Sequence, residues 1–155
     1  MRLALYQPDI PQNAGAMMRT AACLGVAVDV IEPCGFVLGD RGLRRAAMDY
    51  LDGVDLSRHS SWEIFMEARS PGRAGRLVLL STQAECPYAA FAFRANDVLL
   101  VGRESAGVPD DVHGAVDARV RVPMAGDMRS LNVAAAAAMI LGEALRQTDG
   151  FAENG

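Results

Sequence analysis

The sequence contains no lysine, and all 15 of its basic residues are arginine. Arginine forms bidentate hydrogen bonds with phosphate and stacks on bases, so this choice suits an RNA-binding surface. The net charge of −4 argues mildly against a nucleic-acid binder, and a solvated arginine face is the plain alternative. Two local clusters keep RNA binding open: Arg41, Arg44 and Arg45, and Arg69, Arg73 and Arg76.

Cysteine and histidine are also scarce. The three cysteines, Cys23, Cys34 and Cys86, are odd in number, widely spaced and form no CxxC pair. The two histidines, His59 and His113, have no partner at metal-ligand spacing. These patterns support neither a disulfide framework nor a zinc site, so we expect no metal.

Long apolar runs are missing as well. No run reaches the ~18 residues that a membrane-spanning helix needs, and the first residues lack a signal-peptide pattern. We therefore expect a cytoplasmic protein without membrane association. The length of 155 residues favours one domain, which we assign to residues 1–150, followed by a polar tail at 151–155.

What the sequence does contain is an alternation of strand and helix patterns. Strands are predicted at residues 3–7, 26–33, 76–82, 97–102 and 118–124. Helices are predicted at residues 11–24, 41–51, 60–68 and 130–147. This order is typical of an α/β protein with a parallel sheet and helices on both of its faces.

Three loops with polar residues follow predicted strands, at residues 8–20, 101–109 and 122–132. Glu104 comes just after a strand, and Ser130 is the predicted N-cap of the alanine-rich last helix. Each loop alone has an ordinary structural explanation, such as a helix cap or a solvated glutamate. Ligands of open α/β sheets bind at the carboxyl ends of the strands, so the three loops together indicate a site.

The last helix carries two apolar stripes. One contains Leu131, Ala134, Ala138, Leu141 and Leu145, and the other contains Val133, Ala137, Ile140 and Ala144. A helix that packs only on its own sheet needs one stripe. A second stripe predicts a homodimer through the C-terminal helix, with deep burial of the helix as the alternative.

The three loops carry motifs in a fixed order. They read NxGxxxR (Asn13, Gly15, Arg19), GxExxGxP (Gly102, Glu104, Gly107, Pro109) and VPM…SLN (Val122, Pro123, Met124, Ser130, Leu131, Asn132). Over residues 2–147 the chain resembles the SPOUT class of RNA 2′-O-methyltransferases. The resemblance implies a C-terminal trefoil knot, an S-adenosylmethionine cofactor and S-adenosylhomocysteine as product.

Longer stretches of the sequence narrow this resemblance. YQPDIPQNAG, IEPCGFVLGDRGLRRAAMDY and VPMAGDMRSLN are similar to the small single-domain branch that methylates the wobble nucleotide of tRNA. The implied substrate is cytidine or modified uridine at position 34 in the anticodon stem-loop, with leucine tRNAs expected. Two residues depart from the family pattern: Arg103 stands where proline or serine is frequent, and Val122 replaces isoleucine.

The resemblance also implies residue roles. The implied catalytic residues are Arg19, Glu104, Ser130, Asn132 and Asn13. The implied cofactor-binding residues are Leu80, Gly102, Val122, Met124, Ser130 and Leu131. The implied RNA-binding residues are Arg41, Arg44 and Arg45. The role of Arg19 stays open between general base and phosphate clamp, because its pKa above ~12 makes it a poor base.

Three alternatives remain at this stage. The enzyme could methylate another tRNA or rRNA nucleotide. An oxidoreductase that uses a dinucleotide is disfavoured, because no GxGxxG follows the first strand. A non-catalytic RNA-binding module is disfavoured by the intact motif residues Arg19, Glu104, Ser130 and Asn132.

Overall fold

The computed structural model describes residues 1–39, 41–47, 50, 53–69 and 75–151. The strands are β1 (Arg2–Tyr6), β2 (Ala27–Ile31), β3 (Leu56–His59), β4 (Leu77–Leu80), β5 (Val98–Val101) and β6 (Ala118–Val120). The helices are α1 (Pro11–Cys23), α2 (Arg41–Ala47), α3 (Trp62–Ala68), α4 (Asp110–Ala115) and α5 (Val133–Gln147). A short 3₁₀ turn, Tyr88–Ala90, precedes β5.

The six strands form one parallel sheet in the order β3-β2-β1-β5-β4-β6. At the centre, Leu5 of β1 lies opposite Val30 of β2 and Val101 of β5. Every residue of β5 is buried, as expected of a parallel strand covered on both faces. The predicted parallel sheet is confirmed, and the carboxyl ends of all six strands lie along one edge.

Helices cover both faces of the sheet, as the sequence predicts. Leu3 and Leu5 of β1 belong to one core with α1 and α5, where Met18 and Ile140 are buried. Ala4 and Tyr6 belong to the other core with α3 and α4, where Phe65 and Val112 are buried. Successive strand residues point to opposite faces, so one strand supplies both cores.

Several predicted elements need correction. The strand β3, the helix α4 and the 3₁₀ turn were not predicted, and the strands predicted at 26–33 and 118–124 are shorter, at Ala27–Ile31 and Ala118–Val120. Of the predicted helix at 41–51, residues 48, 49 and 51 lie outside the described residues, as do 152–155 of the predicted tail.

The predicted start of the last helix is also wrong. Ser130 does not cap it; Asn132 does, because its side-chain oxygen accepts hydrogen bonds from Ala134 N at 2.9 Å and Ala135 N at 3.2 Å. Both residue types are good N-caps, and the chain enters α5 three residues later than predicted.

The two apolar stripes of α5 are not separate faces. The buried residues of the helix, drawn from both stripes, are Ala137, Ile140, Leu141, Ala144 and Leu145. The core of one chain therefore uses residues of both stripes, and any partner must contact the remaining surface.

The first-motif glycine, Gly15, sits where α1 meets α2. A Cβ at this position would lie 2.5 Å from Ala46 Cβ and 2.9 Å from Leu43 O. Only glycine allows α2, which carries three arginines, to approach α1 so closely.

We predict that Gly15→Ala destabilises the protein by about 1–3 kcal/mol, because overpacking outweighs the better helix propensity of alanine. Urea unfolding measures this change. Gly114→Ala in α4 is the matched control: nothing lies within 4 Å of the added Cβ, so we expect unchanged or higher stability. Equal stability of the two variants would contradict the packing account.

Candidate active site

A cavity of about 690 Å³ opens at the carboxyl edge of the sheet. Its walls come from the loops after β4, β5 and β6 and from the segment that leads into α5. Ile10 and Asn13, from the start of α1, complete the lining. All three loops singled out in the sequence therefore meet at one cavity.

The structure places most of the predicted site residues around this cavity. The lining includes Asn13, Leu80, Gly102, Glu104, Val122, Met124, Ser130, Leu131 and Asn132. Four predicted residues lie outside the lining: Arg19, Arg41, Arg44 and Arg45. Their roles, like those of the lining residues, stay predictions.

Arg19 lies on the exposed side of α1. Its guanidinium carbon is 5.2 Å from the centroid of the Tyr50 ring. Arg44 of α2 donates from Nε to Gly39 O at 3.1 Å. Because α1 and α2 pack together, the exposed arginines of both helices lie on neighbouring elements.

The asparagines of the first and third motifs are in direct contact. Asn132 Nδ2 donates to Asn13 Oδ1 at 3.0 Å, while Asn132 Oδ1 caps α5. One side chain therefore fixes the start of α5 and ties it to α1.

The glycines of the second motif close a tight turn. Arg103 N donates to Gly107 O at 3.0 Å, and Gly107 N donates to Arg103 O at 2.9 Å. Gly107 has a φ of 61°, which favours glycine. A Cβ at Gly102 would lie 2.7 Å from the Gly107 carbonyl carbon, so both glycines are needed for the turn.

The Glu104 carboxyl group is buried beside this turn. Within the described chain neither of its oxygens forms a hydrogen bond of normal geometry, although the Asp9 and Asn13 side chains lie near enough to interact with it. Burial raises the pKa of Glu104, and the neighbouring Asp9 raises it further. The polar side chains that interact with the Glu104 carboxyl group are therefore those of Asp9 and Asn13.

Asp9 is a site residue that the sequence reading missed. Its carboxylate accepts from Glu104 N at 3.1 Å, from Ser105 N at 3.3 Å and from the Ser105 hydroxyl. The Glu104 side chain and these donors lower the pKa of Asp9 to about 2. An Asp between a strand and a Pro-rich turn commonly binds backbone amides, which is the one local signal that the sequence offered.

Arginines dominate the charge of the cavity lining. Arg103, Arg121 and Arg129 line it together with one carboxyl group, that of Glu104. This excess of positive charge suits an anionic substrate.

Within the described residues, no group of His, Cys, Asp and Glu side chains is arranged to hold a metal ion. None of the described helices is both long and apolar enough to cross a membrane.

Comparison with known proteins assigns the fold and the motifs to a family. Residues 1–142 match the SpoU rRNA Methylase family. The chain belongs to this SpoU family. The match includes the whole sheet and all three motif loops, and ends within α5.

Individual SpoU relatives cover nearly the whole chain. The tRNA (cytidine(34)-2′-O)-methyltransferase of Beijerinckia indica is 61% identical over 152 residues, which are 97% of this chain and 94% of the relative. A solved structure described as giving insight into the 2-OH methylation of C/U34 on tRNA is 44% identical, with a TM-score of 0.88 and 94% of each chain covered.

A second solved structure contains the cofactor. It is the SpoU methyltransferase AviRb from Streptomyces viridochromogenes in complex with AdoMet, 30% identical, with a TM-score of 0.86. It covers 95% of this chain and 60% of AviRb.

We predict that Asp9 contributes measurably to the loss of stability of this SpoU protein in acid. Its folded-state pKa of about 2 is below the ordinary value near 3.8, so its contribution is complete above about pH 4 and lost as pH falls towards 2. Urea unfolding from pH 4 to pH 2 should show a smaller loss of stability for Asp9→Asn than for the wild type.

The raised pKa of Glu104 acts in a different pH range. It favours folding at low pH, and that contribution is lost as pH rises above about 4.5. Measurements below pH 4 therefore isolate Asp9. Identical pH dependence of the wild type and Asp9→Asn in that range would contradict the assigned contacts.

Proposed function

We propose that this protein transfers a methyl group from S-adenosylmethionine to the 2′-hydroxyl of nucleotide 34 of tRNA, a cytidine or modified uridine. The observation that carries the proposal is the cavity at the sheet edge, which gathers all three motif loops. The relatives named as tRNA (cytidine(34)-2′-O)-methyltransferase support the position and the substrate, because they match almost the entire chain.

The cavity fits a nucleoside cofactor in size and chemistry. Its volume of about 690 Å³ is in the range of small-molecule sites. Leu80, Val122 and Leu131 supply apolar walls for a flat base, and Ser81 and Thr82 supply polar groups for a ribose. The buried Glu104 oxygens, which form no hydrogen bond of normal geometry within the described residues, supply a further polar contact.

The residues that would hold the cofactor are Leu80, Gly102, Val122, Met124, Ser130 and Leu131. When bound, S-adenosylmethionine supplies an electrophilic methyl group and leaves as S-adenosylhomocysteine. AviRb binds the same cofactor on the same fold.

The chain itself must place the ribose hydroxyl and hold it there. Such positioning can supply ~7–11 kcal/mol of rate enhancement. The Asn13–Asn132 hydrogen bond and the Asp9 contacts fix the loops around the hydroxyl. Arg19 is suited to bind an RNA phosphate and orient the ribose, because an arginine side chain stays protonated and therefore cannot readily act as a base.

The anticodon stem-loop would bind to the exposed arginines of α1 and α2. Arg41, Arg44 and Arg45 are exposed on α2, next to α1. Local basic patches steer RNA even when the net charge of the molecule is −4. We propose leucine tRNAs as the substrates, from the resemblance of the longer sequence stretches.

We also propose that residues 1–150 form a single domain with a C-terminal trefoil knot and a short tail at 151–155. The support is the match to SpoU structures over nearly the whole chain.

The function is tested with undermodified bulk tRNA incubated with the protein and S-adenosylmethionine. Nuclease fragments and nucleosides are then analysed by mass spectrometry. We expect a new 2′-O-methyl group at position 34 of leucine tRNAs. Arg19→Ala should lower turnover at least ~100-fold while S-adenosylhomocysteine still binds, because it misplaces the hydroxyl and leaves the cavity intact.

The outcomes separate the alternatives. Methylation at another nucleotide would contradict the assigned position. No methylation by the wild type, or undiminished turnover by Arg19→Ala, would contradict the activity or the assigned role of Arg19.

A homodimer through α5 is a further part of the proposal. Met139 is 42% exposed on the side of α5 that faces away from the core. Ala137 and Ile140 are buried within one chain, so charges there would unfold the protein instead of testing the dimer.

We predict that Met139→Glu converts a dimer into a monomer, because it places a charge in the apolar contact. Sedimentation velocity measures the state. Ile64→Glu, on α3 at the opposite face of the sheet and 44% exposed, is the control and should remain dimeric. A monomeric wild type would rule out the dimer.

A further inference from the structure

Three sets of contacts hold Arg103 in place. Its Nη2 donates to the Gln7 side-chain oxygen, and its guanidinium carbon lies 5.7 Å from the centroid of the Tyr6 ring. Its backbone is fixed by the paired hydrogen bonds with Gly107. The side chain is therefore ordered before any substrate binds, which reduces the loss of conformational entropy on binding.

The charge of Arg103 is not neutralised within the described part of the chain. No carboxylate forms an ion pair with it there, and its buried Nε has no hydrogen-bond partner. Two other part-buried arginines differ: Arg2 pairs with Asp29 at 2.7 Å, and Arg76 pairs with Asp97 at 2.8 Å. A part-buried guanidinium without a counter-charge is costly, so an anion that arrives from outside would complete its contacts.

The partner of Arg103, Gln7, has an unusual backbone conformation. Its φ is 43°, although residues other than glycine rarely adopt positive φ. Gln7 directly follows β1, and its amide donates to Ile31 O at 2.8 Å. Strained residues of this kind occur often at functional sites, and here the strained residue holds the guanidinium.

The sheet order shows in which direction Arg103 points. Two of the loops that would hold the cofactor follow β4 and β6, on one side of β5, and the third follows β5 itself. Arg103 follows β5 but contacts Tyr6 and Gln7 at the end of β1, on the other side. Its guanidinium therefore extends along the cavity edge of the sheet towards the end of β1, on the face that Tyr6 shares with α3 and α4.

We propose that Arg103 binds a backbone phosphate of the RNA substrate next to the methylated nucleotide, with Gln7 and Tyr6 as positioning residues. The inference rests on the proposed RNA methyltransferase function and adds a substrate contact to it. A guanidinium donates two parallel hydrogen bonds to phosphate oxygens, which fixes orientation as well as charge. Proteins of the SPOUT class, which this chain resembles, frequently have proline or serine at this position. The contact would therefore distinguish this chain from those proteins.

The test compares Arg103→Gln, Arg103→Lys and Arg94→Gln. Arg94 is an exposed arginine in the loop before β5, at the opposite edge of the sheet, so its variant removes the same charge elsewhere. Binding of a synthetic anticodon stem-loop is measured at several salt concentrations with S-adenosylhomocysteine present. Cofactor affinity is measured separately by calorimetry with S-adenosylhomocysteine.

We expect Arg103→Gln to weaken RNA binding about tenfold and to reduce the salt slope by about 0.7, as for one lost phosphate contact on a single strand. Arg103→Lys should keep the slope but lose part of the affinity, because a lysine lacks the bidentate geometry. Arg94→Gln and the affinity for S-adenosylhomocysteine should not change.

Two results would overturn the inference. RNA binding by Arg103→Gln that equals that of Arg94→Gln would show that no phosphate is bound there. Loss of S-adenosylhomocysteine affinity with unchanged RNA binding would assign the guanidinium to the carboxylate of the cofactor.

If Arg103→Gln does not fold, Gln7→Gly serves as a second test, because it removes the hydrogen-bond acceptor of Arg103 and relieves the backbone strain. This variant should weaken RNA binding, but less than tenfold. Unchanged RNA binding by Gln7→Gly would overturn the inference.

Failure of the proposed function gives a different result. A wild type that binds RNA and S-adenosylhomocysteine but transfers no methyl group would leave the Arg103 contact in place and contradict the activity.

Discussion

All six strands run parallel, and this constraint brings the site together. Parallel strands end at the same edge, so loops that are far apart in sequence become neighbours. Asp9 reaches Ser105 across 96 positions, and Asn132 reaches Asn13 across 119. The two cores on either face of the sheet hold the strands, and the strands in turn hold the loops.

Hydrogen bonds, more than apolar burial, shape the loops themselves. Asp9 binds two backbone amides of the second motif, and Asn132 binds two amides of α5 and the side chain of Asn13. Each polar side chain thereby satisfies groups that would otherwise lack partners near the cavity. These hydrogen bonds hold in place the loops that form the walls of the cavity.

The sequence predicted the parts of the fold whose signals are local. The apolar runs at 76–82 and 97–102 correspond to β4 and β5, which are largely buried on both faces. The strand β3 was missed because three of its four residues, LSRH, are polar and the strand lies at the edge of the sheet. The helix α4 was missed because six residues show too little periodicity.

The site was less predictable than the sheet. The order of the motifs indicated which residues lie around the cavity. Two contacts could not be predicted, because they depend on how the folded chain brings residues together. The acceptor role of Asp9 involves partners about 95 positions away, and the choice of Asn132 over Ser130 as cap depends on the path of the chain into α5. The positive φ of Gln7, and the lack of an ion pair at Arg103 among the residues that the structure describes, likewise have no signature in the local sequence.

Hydrogen–deuterium exchange with and without S-adenosylhomocysteine tests the central claim that the loops form one cofactor cavity. The account predicts that the ligand slows exchange together in the loops after β4, β5 and β6 and in the segment before α5, and leaves β3 and α3 unchanged. Protection confined to one loop, or absent from all of them, would contradict the single cavity.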